Sequence, residues 1–474
     1  MPRLIITTII LYLLSVVTWG EYISSYAGYL YKDSGHLNYC YQQGFAGFPF
    51  CYLPWESAHR PIGRHVINFL FWVFGENPIP IINAQLAIHT LNALILYLII
   101  IVFTQSFPLA LVGSIVFLTL ASSFLPVYWT AALFDLLSTT FILSATLAIL
   151  FVTSQRFWLR TLAIIGMYLC FLGAVKTKES TIVYVIPVVH LFLWLRVNAR
   201  VVIDQTTDVY NVSLRCALVN LRKYFSWSDV FWLGILTVLA LILATHVDSD
   251  FLSYGIEQTD PAYRRDYSLI TIFRSYGWDM ATLFYSYGSS EPIPPVWAFL
   301  IILTITMLAI ISKNFLILWG VIWWFTLLFF LAVLPKQYQS PNYPYLAGVG
   351  WAIFCVGALW QLTSLLSHPR RQQLVRWSVS CLLVISCPLI LNNWLQHGIL
   401  PVWAKNFHQD NSPIVRGLRS LIPEPSANAE FIFVSKKFTI LDQNLKVFLA
   451  AIYRRSGFSG SLFKSLDEGR RKYA

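Results

Sequence analysis

Long apolar runs separated by short polar connections dominate the chain. A helix needs roughly twenty apolar residues to cross a bilayer. Runs of this kind lie near 4–19, 79–103, 108–125, 127–152, 158–175, 180–195, 229–247, 295–312, 314–334, 344–366 and 377–395. The pattern predicts an all-α polytopic membrane protein of about eleven transmembrane helices. Two further stretches are amphipathic at helical spacing. From Pro61, the apolar positions Ile62, Val66, Phe69, Leu70 and Val73 repeat with Gly63, Arg64, His65 and Asn68 between them. From Tyr267, Ile270, Phe273, Gly277, Met280 and Phe284 do the same, with Arg274 and Asp279 opposite. Both read as interfacial helices of external loops, too short or too polar to span.

Charge gives the orientation. Arg156 and Arg160 share one connection, and Arg196, Arg200, Arg215, Arg222 and Lys223 fall in another. Lys313, then Arg370, Arg371 and Arg376, mark two more. With eleven spans, all of these and Arg3 lie on one side, which the positive-inside bias makes cytoplasmic. The N-terminus is then cytoplasmic, the C-terminus extracytoplasmic, and the inner (plasma) membrane the expected location. Residues 1–395 form the membrane domain, with external loops at 20–78 and 248–294; residues 396–474 form a small extracytoplasmic α/β extension. In that extension EFIFVSKKFTILD reads as strand and turn, and NLKVFLAAIYRRSG as a helix stopped by glycine. Trp19-Gly20-Glu21 follows the first apolar run where a small-x-small cleavage site would stand, so that run reads as an uncleaved signal anchor.

Composition narrows the class further. Of 474 residues 57% are hydrophobic and 12% charged, about half the charged share of an ordinary soluble chain. The net charge of +11 resides in short loops between apolar spans, which excludes a nucleic-acid stripe and leaves membrane lipids as the general partner. Seven cysteines are too few for a disulfide framework. Cys40 and Cys51 share the first external loop, where they either form a disulfide or remain two thiols in an aromatic segment.

The residues able to do chemistry gather on the external side. Glu21 follows the first span, Asp33 lies deeper in the same loop, and Arg60 and Arg64 open the first interfacial helix. Asp135 lies about two turns into the fourth expected span, His89 lies inside the second, Lys176, Lys178 and Glu179 crowd an external turn, and Lys336 marks the exit of the ninth. An acid, several cations and many aromatics at one mouth suit a lipid-linked phosphate donor. The cations would neutralise the departing phosphate, and a carboxylate would deprotonate an acceptor hydroxyl. Plain structural roles stand beside these: Glu21 as an interface anchor, the arginines snorkelling to headgroups, His89 as a helix–helix hydrogen bonder. Spacing alone therefore leaves a transporter open. No Cys/His cluster has metal-ligand spacing, no cofactor is implied, and a divalent cation held by carboxylates has no supporting motif.

Four patches carry a resemblance. HRPIGRHVINFLFWVFGENPIPIINAQLAIHTLNALILYL holds Arg60-Pro61-Ile62, Gly75-Glu76-Asn77-Pro78 and His89, with Gln85 four residues before the histidine. VYWTAALFDLLSTTFIL holds Trp129 and Asp135, KTKESTIVYVIP holds Lys178 and Glu179, and SPNYPYLAGVGWAIF holds Tyr343 and Tyr345. Together they resemble the GT-C superfamily of integral-membrane glycosyltransferases, in particular its protein O-mannosyltransferase-like branch (glycosyltransferase family 39 and TPR-bearing members). The resemblance implies catalysis at the external loops on a polyprenyl- or dolichyl-phosphate sugar, with inversion at the anomeric carbon and a lipid, glycan or protein acceptor. It also implies a catalytic acid in the first external loop, for which Glu21 is the first candidate and Asp33 the reserve. Asp135 is then a second or acceptor-orienting acid. Arg60, Arg64, Lys176, Lys178 and Lys336 are candidate phosphate contacts; His89, Glu179, Tyr343 and Tyr345 complete the pocket. The departures are specific: the family's acidic pair is reduced to single acids, its fourth-span arginine is Leu133, Pro341-Asn342 stand where Glu-Arg precedes the tyrosines, and no repeat domain follows. A glycolipid transporter or flippase, or an inactive relative serving as an assembly partner, are the alternative readings.

Overall fold

A computed structural model describes residues 2–23, 60–74, 78–152, 156–191, 195, 268–284, 293–312, 314–332, 344–397, 401, 417–418, 420–426, 429–434, 449 and 459–463. Asp33, Cys40, Cys51, Lys336, Tyr343 and the expected span 229–247 lie outside the described residues, as do the side chains of Glu21 and Glu179.

The apolar runs become helices. In chain order these are α1 (Pro2–Trp19), α2 (Pro61–Phe74), α3 (Pro78–Thr104), α4 (Phe107–Leu118), α5 (Phe124–Tyr128), α6 (Leu133–Val152) and α7 (Phe157–Thr177). After a short apolar helix, Ser180–Leu191, come α8 (Leu269–Phe284), α9 (Pro295–Ser312), α10 (Phe315–Ala332), α11 (Pro344–Ser364) and α12 (Pro369–His397). Proline opens α2, α3, α9, α11 and α12, where its fixed φ suits the first turn and its missing N–H is not needed. Among the described residues, six helices are long and apolar enough to cross a membrane, or seven when the bent pair at 107–128 is taken as one span. Three shorter apolar helices, Leu4–Trp19, Ser180–Leu191 and Phe315–Thr326, accompany them. The chain is thus a helical multi-pass membrane protein.

Hydrogen bonds sort the helix termini to two ends of the bundle. At one end, Ser380 Oγ donates to Pro108 O (2.9 Å), Arg376 Nε to Thr363 Oγ1 (2.9 Å), and Asn314 Nδ2 to Gly357 O (3.4 Å). At the other, Trp19 Nε1 donates to Leu118 O (3.1 Å), and Tyr22 reaches Asn392. The basic residues of α12 fall at the first end and the candidate site at the second. Within the C-terminal extension, β1 (Glu430–Val434) and β2 (Ser459–Phe463) pair in parallel, Glu430 opposite Ser459. Such a pair requires a crossover between the strands.

α10 and α11 form one of the closest pairings, because glycines let their backbones touch. A Cβ on Gly350 would lie 2.5 Å from Trp324 N and 2.6 Å from Gly320 O; one on Gly320 would lie 2.6 Å from Phe354 N. Backbone atoms cannot rotate away, so the helices themselves would have to separate. Gly350→Ala is therefore expected to destabilise the protein by about 1–3 kcal/mol, read as an earlier aggregation midpoint in detergent; an unchanged midpoint would contradict the close packing.

Candidate active site

The second end of the bundle, where Trp19 meets Leu118, is built around a broken helix. α4 stops at Leu118, a 3-10 turn (Ala121–Ser123) leads into α5, and the α4–α5 pair bends by 57°. Trp129 is extended (φ −113°, ψ 117°), and a second 3-10 turn (Thr130–Ala132) precedes α6. Broken backbone in an apolar bundle leaves carbonyls that need donors. α3 supplies them through Gln85 and His89, and Asn92 on the same face reaches the intact helix α6. Gln85 Nε2 donates to Pro126 O (2.8 Å) and Trp129 O (3.1 Å). His89 Nε2 bonds Leu118 O (3.0 Å), the carbonyl that Trp19 also reaches. Asn92 Nδ2 donates to Leu136 O (3.0 Å).

The same bonds fix the state of His89. With Nε2–H donated to a carbonyl, Nδ1 accepts from the Tyr345 hydroxyl at 2.8 Å, which makes the imidazole neutral in this arrangement. Asn92 also donates to Tyr345 Oη (3.2 Å) and accepts from Thr140 Oγ1 (2.7 Å). His89 and Tyr345, both with 0% exposure, therefore join α3 to α4 and α11 inside the bundle, and Asn92 joins it to α6.

The break also shifts the place of Asp135 along its helix. Continuous helix from residue 127 would put it two turns in; because α6 begins at Leu133, Asp135 sits in the first turn. There its Oδ1 accepts from Lys178 Nζ in an ion pair, with both side chains buried. Lys178 is held at this point by its backbone. It leaves α7 in an extended conformation, its N–H bonds Ala174 O (2.7 Å), and its carbonyl accepts from Thr181 N (3.1 Å) and Thr181 Oγ1 (2.6 Å). An acid and a base buried together are tolerable only as partners.

α2 packs against α3, α6 and α7 at the same end. Gly63 makes this possible: a Cβ there would come within 2.0 Å of Phe134 Cδ1, so the ring occupies the place of a side chain. Arg60, half-buried, holds its guanidinium carbon 5.4 Å from the centre of the Phe134 ring. Phe134 is the residue before Asp135, so Arg60 reaches the N-terminal turn of α6 that carries the ion pair. Arg60 also adopts φ +55°, a left-handed backbone that costs a non-glycine residue about 1–3 kcal/mol. Arg64, one turn on, and Lys176, in the last turn of α7, are half-buried.

Glu21 occupies the middle of a 3-10 turn, Gly20–Tyr22. That turn is pinned on both sides. Trp19 donates to Leu118 O, and its carbonyl accepts from the Tyr128 hydroxyl. Tyr22 donates its hydroxyl to Asn392 Oδ1 and accepts from Gln396 Nε2 (3.1 Å).

Asp279 departs from the sequence reading. Expected on a polar face, it is 1% exposed, while Arg274 is exposed as expected. The cause is that α8 is covered on several sides, by α9, α10, α11 and the Ala121–Ser123 turn. Burial pushes the Asp279 carboxyl well above the ordinary carboxylate range, and burial, then the Asp279 charge, raise Tyr276. A carboxyl whose folded-state value is raised contributes stability that is complete below its unfolded value and lost as pH rises through the folded one. Stability is thus expected to fall on the alkaline side, and Asp279→Asn to flatten that decline in thermal unfolding followed from about pH 5 to pH 8. Parallel curves would contradict it.

Among the described residues no group of three or more His, Cys, Asp or Glu side chains could hold a metal ion. The structure thus brings Arg60, Asp135 and Lys178 to one bundle end, shared by the Glu21 turn, and buries His89 and Tyr345 inside the bundle. Sequence reasoning passed over Asn92, Tyr22 and Tyr128. The spacing of Gln85, His89 and Asn92 in an otherwise apolar helix was the available signal for the first.

No protein-family model matches the chain, and no curated protein matches it. Solved structures do. The apo oligosaccharyltransferase of Archaeoglobus fulgidus matches at 12% identity and TM-score 0.47, over 96% of this chain and 64% of that one. The oligosaccharyltransferase AglB of the same organism, in complex with an inhibitory peptide and a dolichol-phosphate, matches at 10% identity and TM-score 0.46, over 98% and 64%. ArnT from Cupriavidus metallidurans in the apo state matches at 11% identity and TM-score 0.46, over 93% and 81%. The chain therefore spans 64% of the length of the oligosaccharyltransferase chains it matches.

Proposed function

We propose that the protein is an inverting membrane glycosyltransferase that moves a sugar from a polyprenyl-phosphate carrier to an acceptor hydroxyl on the extracytoplasmic side. In this reading eleven spans cross the inner membrane, the N-terminus is cytoplasmic, and the C-terminal extension from residue 396 stands outside. Glu21 takes the proton from the acceptor hydroxyl. The acceptor oxygen attacks the anomeric carbon from the face opposite the phosphate, and the carbon–oxygen bond to the carrier breaks with its electron pair leaving on polyprenyl phosphate. Arg60, Arg64 and Lys178 neutralise that charge. Asp135 orients the Lys178 ammonium, and the acceptor is a lipid, a glycan or a protein.

The observation that carries the reading is the position of the Lys178–Asp135 pair, at the same bundle end as Arg60 and the Glu21 turn. Alternating-access transport uses charged groups near the bilayer midplane in both halves, whereas Arg60, Asp135 and Lys178 all come from the first half of the chain. The test is release of radiolabelled hexose from undecaprenyl-phosphate hexoses by the purified protein in liposomes. Release that Glu21→Gln abolishes supports the reading, and absence of release across sugars and acceptors contradicts it.

A further inference from the structure

We infer that Tyr22 is a positioning residue: its hydroxyl, clasped between Asn392 and Gln396, locks the turn that carries Glu21 to the end of the last helix. The inference rests on the reading of Glu21 as the base. It goes beyond that reading by assigning the placement of the Glu21 backbone to two residues of α12 about 370 positions away in the chain.

The turn has few anchors of its own. It is a three-residue 3-10 segment closed by one backbone bond, Ile23 N–H to Gly20 O. What holds it is tertiary. On the N-terminal side, Trp19 is buried, donates through its indole to Leu118 O and accepts at its carbonyl from Tyr128. On the C-terminal side, Tyr22 is fastened by donating to Asn392 and accepting from Gln396, and Ile23 is buried. Glu21 lies between two fixed neighbours, so its backbone has one orientation. Asn392 and Gln396 are one turn apart on α12, which sets both partners of the hydroxyl on one helix face. The α12 end of the clasp lies where the C-terminal extension begins, so this extension starts beside the Gly20–Tyr22 turn.

The hydroxyl itself takes no proton in the reaction; it places the backbone of the residue that does. Its removal is therefore expected to reduce turnover while leaving donor binding intact, since a displacement of about 1 Å can cost on the order of 100-fold in rate. The experiment measures hexose release from radiolabelled undecaprenyl-phosphate hexoses in liposomes, for the parent protein, Tyr22→Phe, Asn392→Leu and the double variant, with Glu21→Gln alongside. Tyr22→Phe is expected to lower kcat roughly tenfold or more, with donor KM within about twofold and the acidic limb of the kcat–pH profile unmoved. Asn392→Leu is expected to match it, and the double variant to be no worse than either, because both break one contact. Asn392→Leu also tests the clasp from its other partner should Tyr22→Phe fail to fold. Full kcat in a folded Tyr22→Phe protein, or losses that multiply in the double variant, would overturn the inference while leaving Glu21 as the base if Glu21→Gln is inactive. Full activity of Glu21→Gln would overturn both.

Discussion

Replacing Glu21 with glutamine is expected to reduce sugar transfer by about 100- to 10,000-fold while the protein folds and retains the donor. The substitution keeps the side chain's size and its capacity to hydrogen-bond and removes its ability to take a proton. The loss corresponds to about 3–5 kcal/mol in the barrier, within the range for one general base. Donor affinity is expected to change little, since the phosphate contacts are assigned to Arg60, Arg64 and Lys178. Asp33→Asn is the paired measurement. Retained activity there, with loss at Glu21, assigns the base; the opposite pattern moves it to Asp33; full activity in both removes carboxylate catalysis from the first loop.

The second large effect concerns the ion pair. Asp135→Leu removes the carboxylate that faces the buried Lys178 ammonium, and is expected to destabilise the fold by about 3–5 kcal/mol. Lys178→Met removes the cation from the buried carboxylate in the same way. Because desolvating two charges opposes their attraction, the double variant Asp135→Leu with Lys178→Met is expected to recover much of the stability and none of the activity. Thermal aggregation midpoints in detergent, measured with hexose release on the same samples, separate the two. If each single variant is as stable as the parent, the pair is solvated and the buried rim described above is wrong. If the double variant transfers sugar, Lys178 has no part in the chemistry.

Much of the architecture was legible because the bilayer imposes a length. Apolar runs near 79–103, 295–312 and 344–366 reappear within a few residues as α3, α9 and α11. The break after Leu118 was not legible, since Leu118 to Leu125 is mostly apolar and contains neither glycine nor proline. Only Pro126 and the distant polar stripe on α3 hint at it. The later start of α6, which puts Asp135 in a first turn, was hidden for the same reason. Asp279 was misplaced for a different reason. A helical wheel assumes one covered face, whereas α8 is enclosed by elements that come later and earlier in the chain. The Arg60-Pro61 step and Gly63 were visible as a motif; that Gly63 makes room for Phe134 could come only from packing. The Tyr22–Asn392 contact joins the two ends of the membrane domain, and no local pattern encodes such a pair.

In the proposed reaction, cations and base share one site with separate duties. The direct measurement is equilibrium binding of undecaprenyl phosphate to the purified protein, beside turnover, for the parent, Arg60→Gln and Glu21→Gln. Arg60→Gln is expected to weaken binding about tenfold or more, as for loss of a charged hydrogen bond, and Glu21→Gln to bind as the parent does without turning over. Undiminished binding in Arg60→Gln, or undiminished turnover in Glu21→Gln, would contradict it.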